Sequence, residues 1–290
     1  MDSQMLTSKQ GAELISFKLD GIEKIHQGQN CIDEKGKPYY ARQWTVLFPT
    51  VGKSKQNVTI INGKNYEMPV NGFLKDMEFE PVSNMNNFQS YVFHSNNRLR
   101  DKFPYEFSVY VTYKVVENRL TTIYKVVNSG DTAMPFGIGS IPAIQIDQDD
   151  LINGNYAIEF EEDENKVHFL SVCDGLVETQ YSRNVVLNGK MINLDGHTFD
   201  SKEIIIKGIQ NRRVSLKNRR TGKREFTINF EEFPYLCLWS KPKAPFICVE
   251  PWKVMPDSVS SSGVFRQKTN ITLLPPGQSE EIKFDIDFFN

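Results

Sequence analysis

The 290-residue chain, 39% hydrophobic and 24% charged, is long enough to bury a large core, and its formal net charge of −2 gives no positive field for nucleic acid or an anionic membrane surface. No apolar run approaches the roughly 20 residues that span a bilayer, and the opening MDSQMLTSKQGAEL has no apolar signal-peptide segment. Four widely spaced cysteines (Cys31, Cys173, Cys237, Cys248) without a Cys-x-x-Cys complete the expectation of a folded cytoplasmic protein with reduced thiols.

Period-two alternation dominates the chain. LISFKL (14–19) is the first predicted strand. FSVYVTYKVV (107–116) puts Phe107, Val109, Val111, Tyr113 and Val115 on one face, and RLTTIYKVVN (119–128) follows across Glu117-Asn118, which predicts a hairpin. EIIIKGI (203–209) and EFTINF (225–230) are further strands. LCLW (236–239) and FICV (246–249) are predicted to pair as buried strands around the Ser-Lys-Pro-Lys turn at 240–243. EIKFDIDFF (281–289) places Ile282, Phe284, Ile286 and Phe288 together. DGIE, NGKN, NSGD, NGN, NGK and PPGQ supply turn signals between strands, because Asn-Gly and Asp-Gly tolerate positive φ. No amphipathic pattern longer than three turns, linker, repeat or low-complexity segment interrupts this. The expected fold is all-β, one large antiparallel sandwich forming a single domain over residues 1–290, with a site on a broad sheet face or in end loops.

The familiar chemical signatures are missing. His26, His94, His168 and His197 have no His or Cys three or four residues away, so no metal site is expected. NGKNYE and VGKSK lack the phosphate-loop pattern, and no Gly-x-Ser-x-Gly elbow occurs. His94, His168 and His197 are expected to be exposed or hydrogen-bonded structural residues. Glu250, in FICVEPW, admits two readings. Either the strand stops at Val249, Glu250 meets solvent and Pro251 ends the ladder, or a carboxylate on a buried strand is paired, protonated or used. Trp239 and Trp252 favour use in a carbohydrate site, where aromatic rings cover sugar C–H surface and an acid takes hydroxyls.

GAELISFK (11–18), VLFPTVGK (46–53), MPVNGFLKDMEFE (68–80), FPYEFSVYVTYKV (103–115), MPFGIGSIPAI (134–144) and YLCLWSKPKAPFICVEPW (235–252) occur in an order that resembles the aldose 1-epimerases, the galactose mutarotase-like proteins, and especially the subgroup associated with lactose operons. The resemblance covers nearly the whole chain. It implies a large antiparallel β-sandwich (supersandwich), a free aldose as ligand, no cofactor, and interconversion of α and β anomers by acid–base ring opening. It places the family's base at Glu250, in Cys-x-Glu-Pro-Trp, with Trp239 and Trp252 walling the pocket. Burial among Phe246, Val249 and the tryptophans is expected to raise its pKa.

Other positions depart from the family pattern. Asn71-Gly72-Phe73-Leu74-Lys75 stands where the subgroup has His-Gly-Phe-Ala-Arg. Ile141, in Gly139-Ser140-Ile141-Pro142, stands at the family's general-acid histidine, and Lys53 replaces an arginine. Asn71 can hydrogen-bond a hydroxyl but cannot titrate. Arg42, Lys53, Lys55 and Lys75 flank the implied pocket and would suit a sugar phosphate, unless they simply mark a solvated face. The expectation is therefore an aldose 1-epimerase-like protein binding a sugar or sugar phosphate at Glu250, Arg42, Lys53, Asn71, Lys75, Trp239 and Trp252. The alternative is a non-catalytic carbohydrate-binding or regulatory protein on the same scaffold.

Overall fold

In the computed structural model every residue is described except Met1, Glu162, Asp163, Asn165, Asn188, Gly189, Ser201 and Lys202. Of the predicted turns, Asn188-Gly189 lies outside the described residues. The predicted hairpin forms as Phe107–Val116 and Arg119–Asn128, with Val116 opposite Arg119 and Glu117 at φ 56° in the turn. Ser279–Phe288 pairs along the hairpin's other edge, so that Ile286 faces Leu120 on one side and Ile228 on the other. These strands sit inside a nine-stranded antiparallel sheet whose order runs Met191–Leu194, Tyr156–Phe160, Arg213–Asn218, Arg224–Asn229, Ser279–Phe288, Arg119–Asn128, Phe107–Val116, Phe88–His94, Glu80–Met85.

A seven-stranded antiparallel sheet packs against it, in the order Leu176–Val186, Lys166–Cys173, Ile204–Lys207, Tyr235–Trp239, Phe246–Trp252, Gly139–Gln145, Trp44–Leu47. The two sheets share one apolar core, to which the alternation predicted from the sequence contributes directly. Val109, Val111, Tyr113, Ile282, Phe284 and Ile286 enter from the larger sheet, and Trp44, Leu236, Leu238, Ile247 and Val249 from the smaller. Trp44 lies flat against Phe284, with ring centroids 6.0 Å apart. The fold is thus the expected all-β sandwich. Among the described residues the one α-helix is Gln148–Ile152, and no helix is long and apolar enough to cross a membrane.

The smaller sheet is covered on both faces, which explains why its strands read as unbroken apolar runs instead of alternating ones. The residues between the inward-facing ones form a second apolar cluster on the outer face. Ile141, Ala143, Cys237, Cys248, Trp252 and Ile205 belong to it. That outer cluster is the floor of the candidate site.

Candidate functional site

Strand pairing carries Glu250 onto this floor. The strand does not stop at Val249: it runs from Phe246 to Trp252, with Cys237 opposite Glu250 and Leu236 opposite Pro251. Pro251 is accommodated because the ladder on the other side is interrupted there. Pairs with Gly139–Gln145 are made at Gly139/Trp252 and again from Ala143/Cys248 onward, and both Pro142 and Pro251, which lack an N–H, fall in the gap. Alternation then settles which residues surround the acid. Phe246, Cys248, Glu250 and Trp252 share the outer face, whereas Val249 points into the inter-sheet core and does not bury Glu250, contrary to expectation.

Above the floor lies a cavity of about 570 Å³, within the range that holds a small ligand. Glu250 and Trp252 line it from one strand, Cys237 and Trp239 from its neighbour on one side, and Ile141 from its neighbour on the other. Loops build the walls: Tyr40, the Gly52-Lys53 turn, Val70-Asn71, and the Asp174-Gly175 hairpin turn. Two glycines make these walls possible. Gly72 (φ 69°) passes so close to Phe48 that a Cβ would sit 2.0 Å from its carbonyl oxygen, and Gly52 (φ 65°) leaves no room for one beside Pro256.

Glu250 is 4% exposed. Trp252 Nε1 donates to its Oε2 at 3.1 Å; among the described residues Oε1 has no hydrogen-bond partner. Burial pushes its pKa well above the usual carboxylate range, the nearby charge of Glu203 pushes it further, and the Trp252 hydrogen bond opposes both. Burial acts the same way on Cys237, Cys248 and Tyr40, so these neighbours are uncharged near neutrality.

Six of the predicted site residues meet at the cavity: Glu250, Trp239, Trp252, Lys53, Asn71 and, at the position of the departed acid, Ile141. Ile141 is 7% exposed and presents a hydrocarbon wall. Asn71 adopts φ 65° and its Oδ1 accepts the Gly52 N–H at 2.7 Å, so it fastens the Gly52-Lys53 turn. Lys53 Nζ donates to Asp174 Oδ2 at 2.7 Å and to the Asp174 carbonyl at 3.0 Å.

The other predicted cations are corrections. Arg42 and Lys75 do not line the cavity. Both pair with Asp76, and Arg42 also donates to the Lys75 carbonyl at 2.9 Å. Lys55 donates to the Ser261 carbonyl at 3.3 Å and likewise lies outside the lining. Their short-range acidic and carbonyl partners hold these side chains away from any pocket. Three histidines have partners elsewhere, His94 with Ser108, His168 with Asn184 and His197 with Asp200, and the fully buried His26 lies behind the wall with Nε2 2.9 Å from the Tyr40 carbonyl. Among the described residues no cluster of His, Cys, Asp and Glu could hold a metal.

Sequence reasoning missed Tyr40, Asp174, Cys237 and Glu203 as lining residues. Glu203 carried a readable signal, since it heads the apolar run EIII much as Glu250 ends FICV. It also missed a buried ion pair under the wall, Lys268 Nζ to Asp257 Oδ1 at 2.5 Å. Asp257 Oδ2 accepts the Lys55 N–H at 2.9 Å, and the Asp257 N–H donates to the Lys53 carbonyl at 2.9 Å. The pair thereby holds the segment that presents Lys53.

A fold of this kind, with a buried glutamate on a broad sheet face, defines a class, and the chain belongs to the aldose 1-epimerase family, whose model matches residues 2–269. Its relatives include the plasmid-encoded protein LacX of Lactococcus lactis subsp. lactis, 28% identical over 295 aligned positions covering 97% of this chain and 94% of that protein, and the chromosomal LacX of the same organism at 27%. Among solved structures, a galactose mutarotase related enzyme from Lactobacillus acidophilus superposes with a TM-score of 0.89 at 23% identity, covering 99% of this chain and 95% of that one. A galactose mutarotase-like protein from Lactobacillus casei gives 0.86 at 24%, covering 100% and 98%.

Proposed function

We propose that the cavity binds a neutral monosaccharide in its ring form and that the protein interconverts the sugar's α and β anomers, with Glu250 exchanging a proton with the bound sugar. The carrying observation is one buried carboxylate, with an oxygen unpartnered among the described residues, on the floor of a tryptophan-walled hollow large enough for a hexose. Family membership supports a sugar as the ligand class. A neutral sugar suits the cavity better than a phosphorylated one. Lys53, the lining lysine, is already neutralised by Asp174, and Glu203 adds negative charge.

Ile141 favours a second reading, sugar binding without turnover, because the hydrocarbon at that wall has no proton to give. Titration calorimetry and anomer-exchange NMR with galactose, glucose, xylose and glucose 6-phosphate separate the two. Binding with accelerated exchange supports the proposal. Binding with exchange at the solvent rate supports the second reading. Absence of binding to every sugar removes both.

A further inference from the structure

Resting on that reading of the cavity, we infer that Glu203 is the second acid–base residue of the site: Glu203 and Glu250 face the same hollow, and together they perform the acid and base steps of ring opening without an imidazole. The inference begins with strand register. Ile204 stands opposite Leu238 and Ile205 opposite Cys237, while Cys237 stands opposite Glu250. Glu203 therefore sits beside Trp239, two strands over from Glu250 and two residues along. At about 4.8 Å between strands and about 3.4 Å per residue, their Cα atoms are about 12 Å apart. Ile205 and Cys237 both belong to the outer cluster, so Glu203, two residues before Ile205, shares the face of Glu250, and both line the same cavity.

Glu250 feels the charge of Glu203, and Cys237, on the floor between them, feels both carboxylates. Glu203 is half-buried, yet makes no hydrogen bond or ion pair with any described residue. Among the described residues nothing saturates it, which is not how a structural carboxylate is held. The other titratable groups facing the pair are Tyr40, Cys237 and Cys248, held uncharged by burial, and the Lys53–Asp174 ion pair.

The more deeply buried Glu250 carries the proton at rest, because the charged form is the one that burial penalises. This reverses the role that the family resemblance assigns to it. On ring opening Glu250 gives its proton to the ring oxygen, which takes the electron pair of the breaking bond to C1. Glu203 takes the proton of the C1 hydroxyl, and C1 becomes an aldehyde carbon. After rotation about C1–C2, the former ring oxygen, now a hydroxyl, attacks the other face of C1 and returns its proton to Glu250, while Glu203 protonates the new C1 oxygen. The pair ends with the one proton it began with, and no redox partner is needed.

The test is Glu203→Gln beside wild type. Exchange NMR on galactose and glucose is expected to show kcat falling about 10²–10⁴-fold, with the sugar's dissociation constant changed less than about fivefold. The pH–rate profile is expected to lose one limb. In sugar-free protein carrying ¹³C-labelled glutamate, the Glu250 carboxyl is expected to titrate at lower pH in the variant, because a like charge has gone. An unchanged Glu250 titration, or a variant retaining a tenth or more of the wild-type rate, overturns the inference. Wild type that binds sugar without accelerating exchange overturns it too, while leaving sugar binding standing. If no sugar binds, the reading of the cavity falls, and the carboxyl titration still decides whether the two glutamates are coupled.

Discussion

Replacing Lys268 by Met removes one half of the buried ion pair and leaves Asp257 charged in an apolar setting. Both side chains are 4% exposed, and Nζ lies 2.5 Å from Oδ1. Burial lowers the pKa of Lys268 even though Asp257 pulls it up, which marks how dry the location is. Breaking a buried pair from one side costs about 3–5 kcal/mol. Asp257 Oδ2 keeps the Lys55 N–H at 2.9 Å, so the lower end, about 3 kcal/mol, is expected. With 290 residues, an unfolding entropy near 2.1 cal/mol/K per residue comes to about 0.6 kcal/mol/K, and the loss corresponds to a Tm drop of about 5 °C. Scanning calorimetry measures it. Sugar affinity should weaken as well, because the Asp257 N–H holds the Lys53 carbonyl at the cavity wall. The double variant Asp257→Asn/Lys268→Met keeps an acceptor for Lys55 without the stranded charge, and should recover at least half the loss. A single variant within about 2 °C of wild type, or a double variant as low as the sum of its singles, would refute the reasoning.

Three further outcomes follow from the site. Glu250 ionises near 4.5 when unfolded and higher when folded, so between those values the folded state binds more protons and Glu250 makes stability fall as pH rises; Glu250→Gln should flatten that slope in denaturant titrations across pH 4.5–8, and an identical slope would show the side chain is not buried in an ionisable state. Ile141→His puts an imidazole on the cavity wall, and should raise the anomer-exchange kcat by at least about tenfold; unchanged turnover with sugar binding intact would mean that this wall does not face the reacting oxygen. Asp174→Asn frees Lys53 and should tighten glucose 6-phosphate binding by about three- to fivefold at low salt, as measured by calorimetry, since an exposed pair is worth up to about 1 kcal/mol; no change would place the phosphate away from Lys53.

Much of the sandwich was legible because half of it obeys period two. Residues 107–128 alternate so regularly that both the hairpin pairing and the buried face could be read off, and in 281–289 the shared face could be, whereas its pairing with Arg119–Asn128 could not. The smaller sheet resisted because both its faces are covered. Alternation parts Val249 from Glu250, but nothing in FICVEPW says which of the two faces the core and which the cavity; that needs the neighbouring strand and its register. The cations misled for a related reason. Arg42 and Lys75 lie close in sequence to wall segments, but Asp76 is closer still in space and claims both. Glu203 is 47 positions before Glu250 in the chain, and no local pattern brings them to one face.

What separates a site carboxylate from a structural one in this chain is how its oxygens are satisfied. Glu13 is also buried and also has its pKa raised by burial, yet its Oε1 accepts the N–H groups of Gln43 at 2.6 Å and Trp44 at 3.1 Å, which fixes the start of the Trp44–Leu47 strand. Asp150 is held by a two-point contact with Arg220, at 2.8 and 2.7 Å, and by Asn155 and Asn218, and this drives its pKa down. Asp150 has both oxygens hydrogen-bonded, and Glu13 takes two N–H groups on Oε1 while Oε2 lies 3.9 Å from Arg42, so each has several partners, as buried polar groups ordinarily do. Among the described residues Glu250 receives a single indole N–H and the half-buried Glu203 none, and both open onto the same hollow. Leaving a buried acceptor unmade costs on the order of 1–3 kcal/mol, and the fold supplies well-partnered carboxylates where it needs them. Unsaturated acceptors on a cavity floor are therefore best accounted for by a ligand whose hydroxyls complete them, and a sugar ring carries such hydroxyls around an edge while its C–H face meets Trp239 and Trp252.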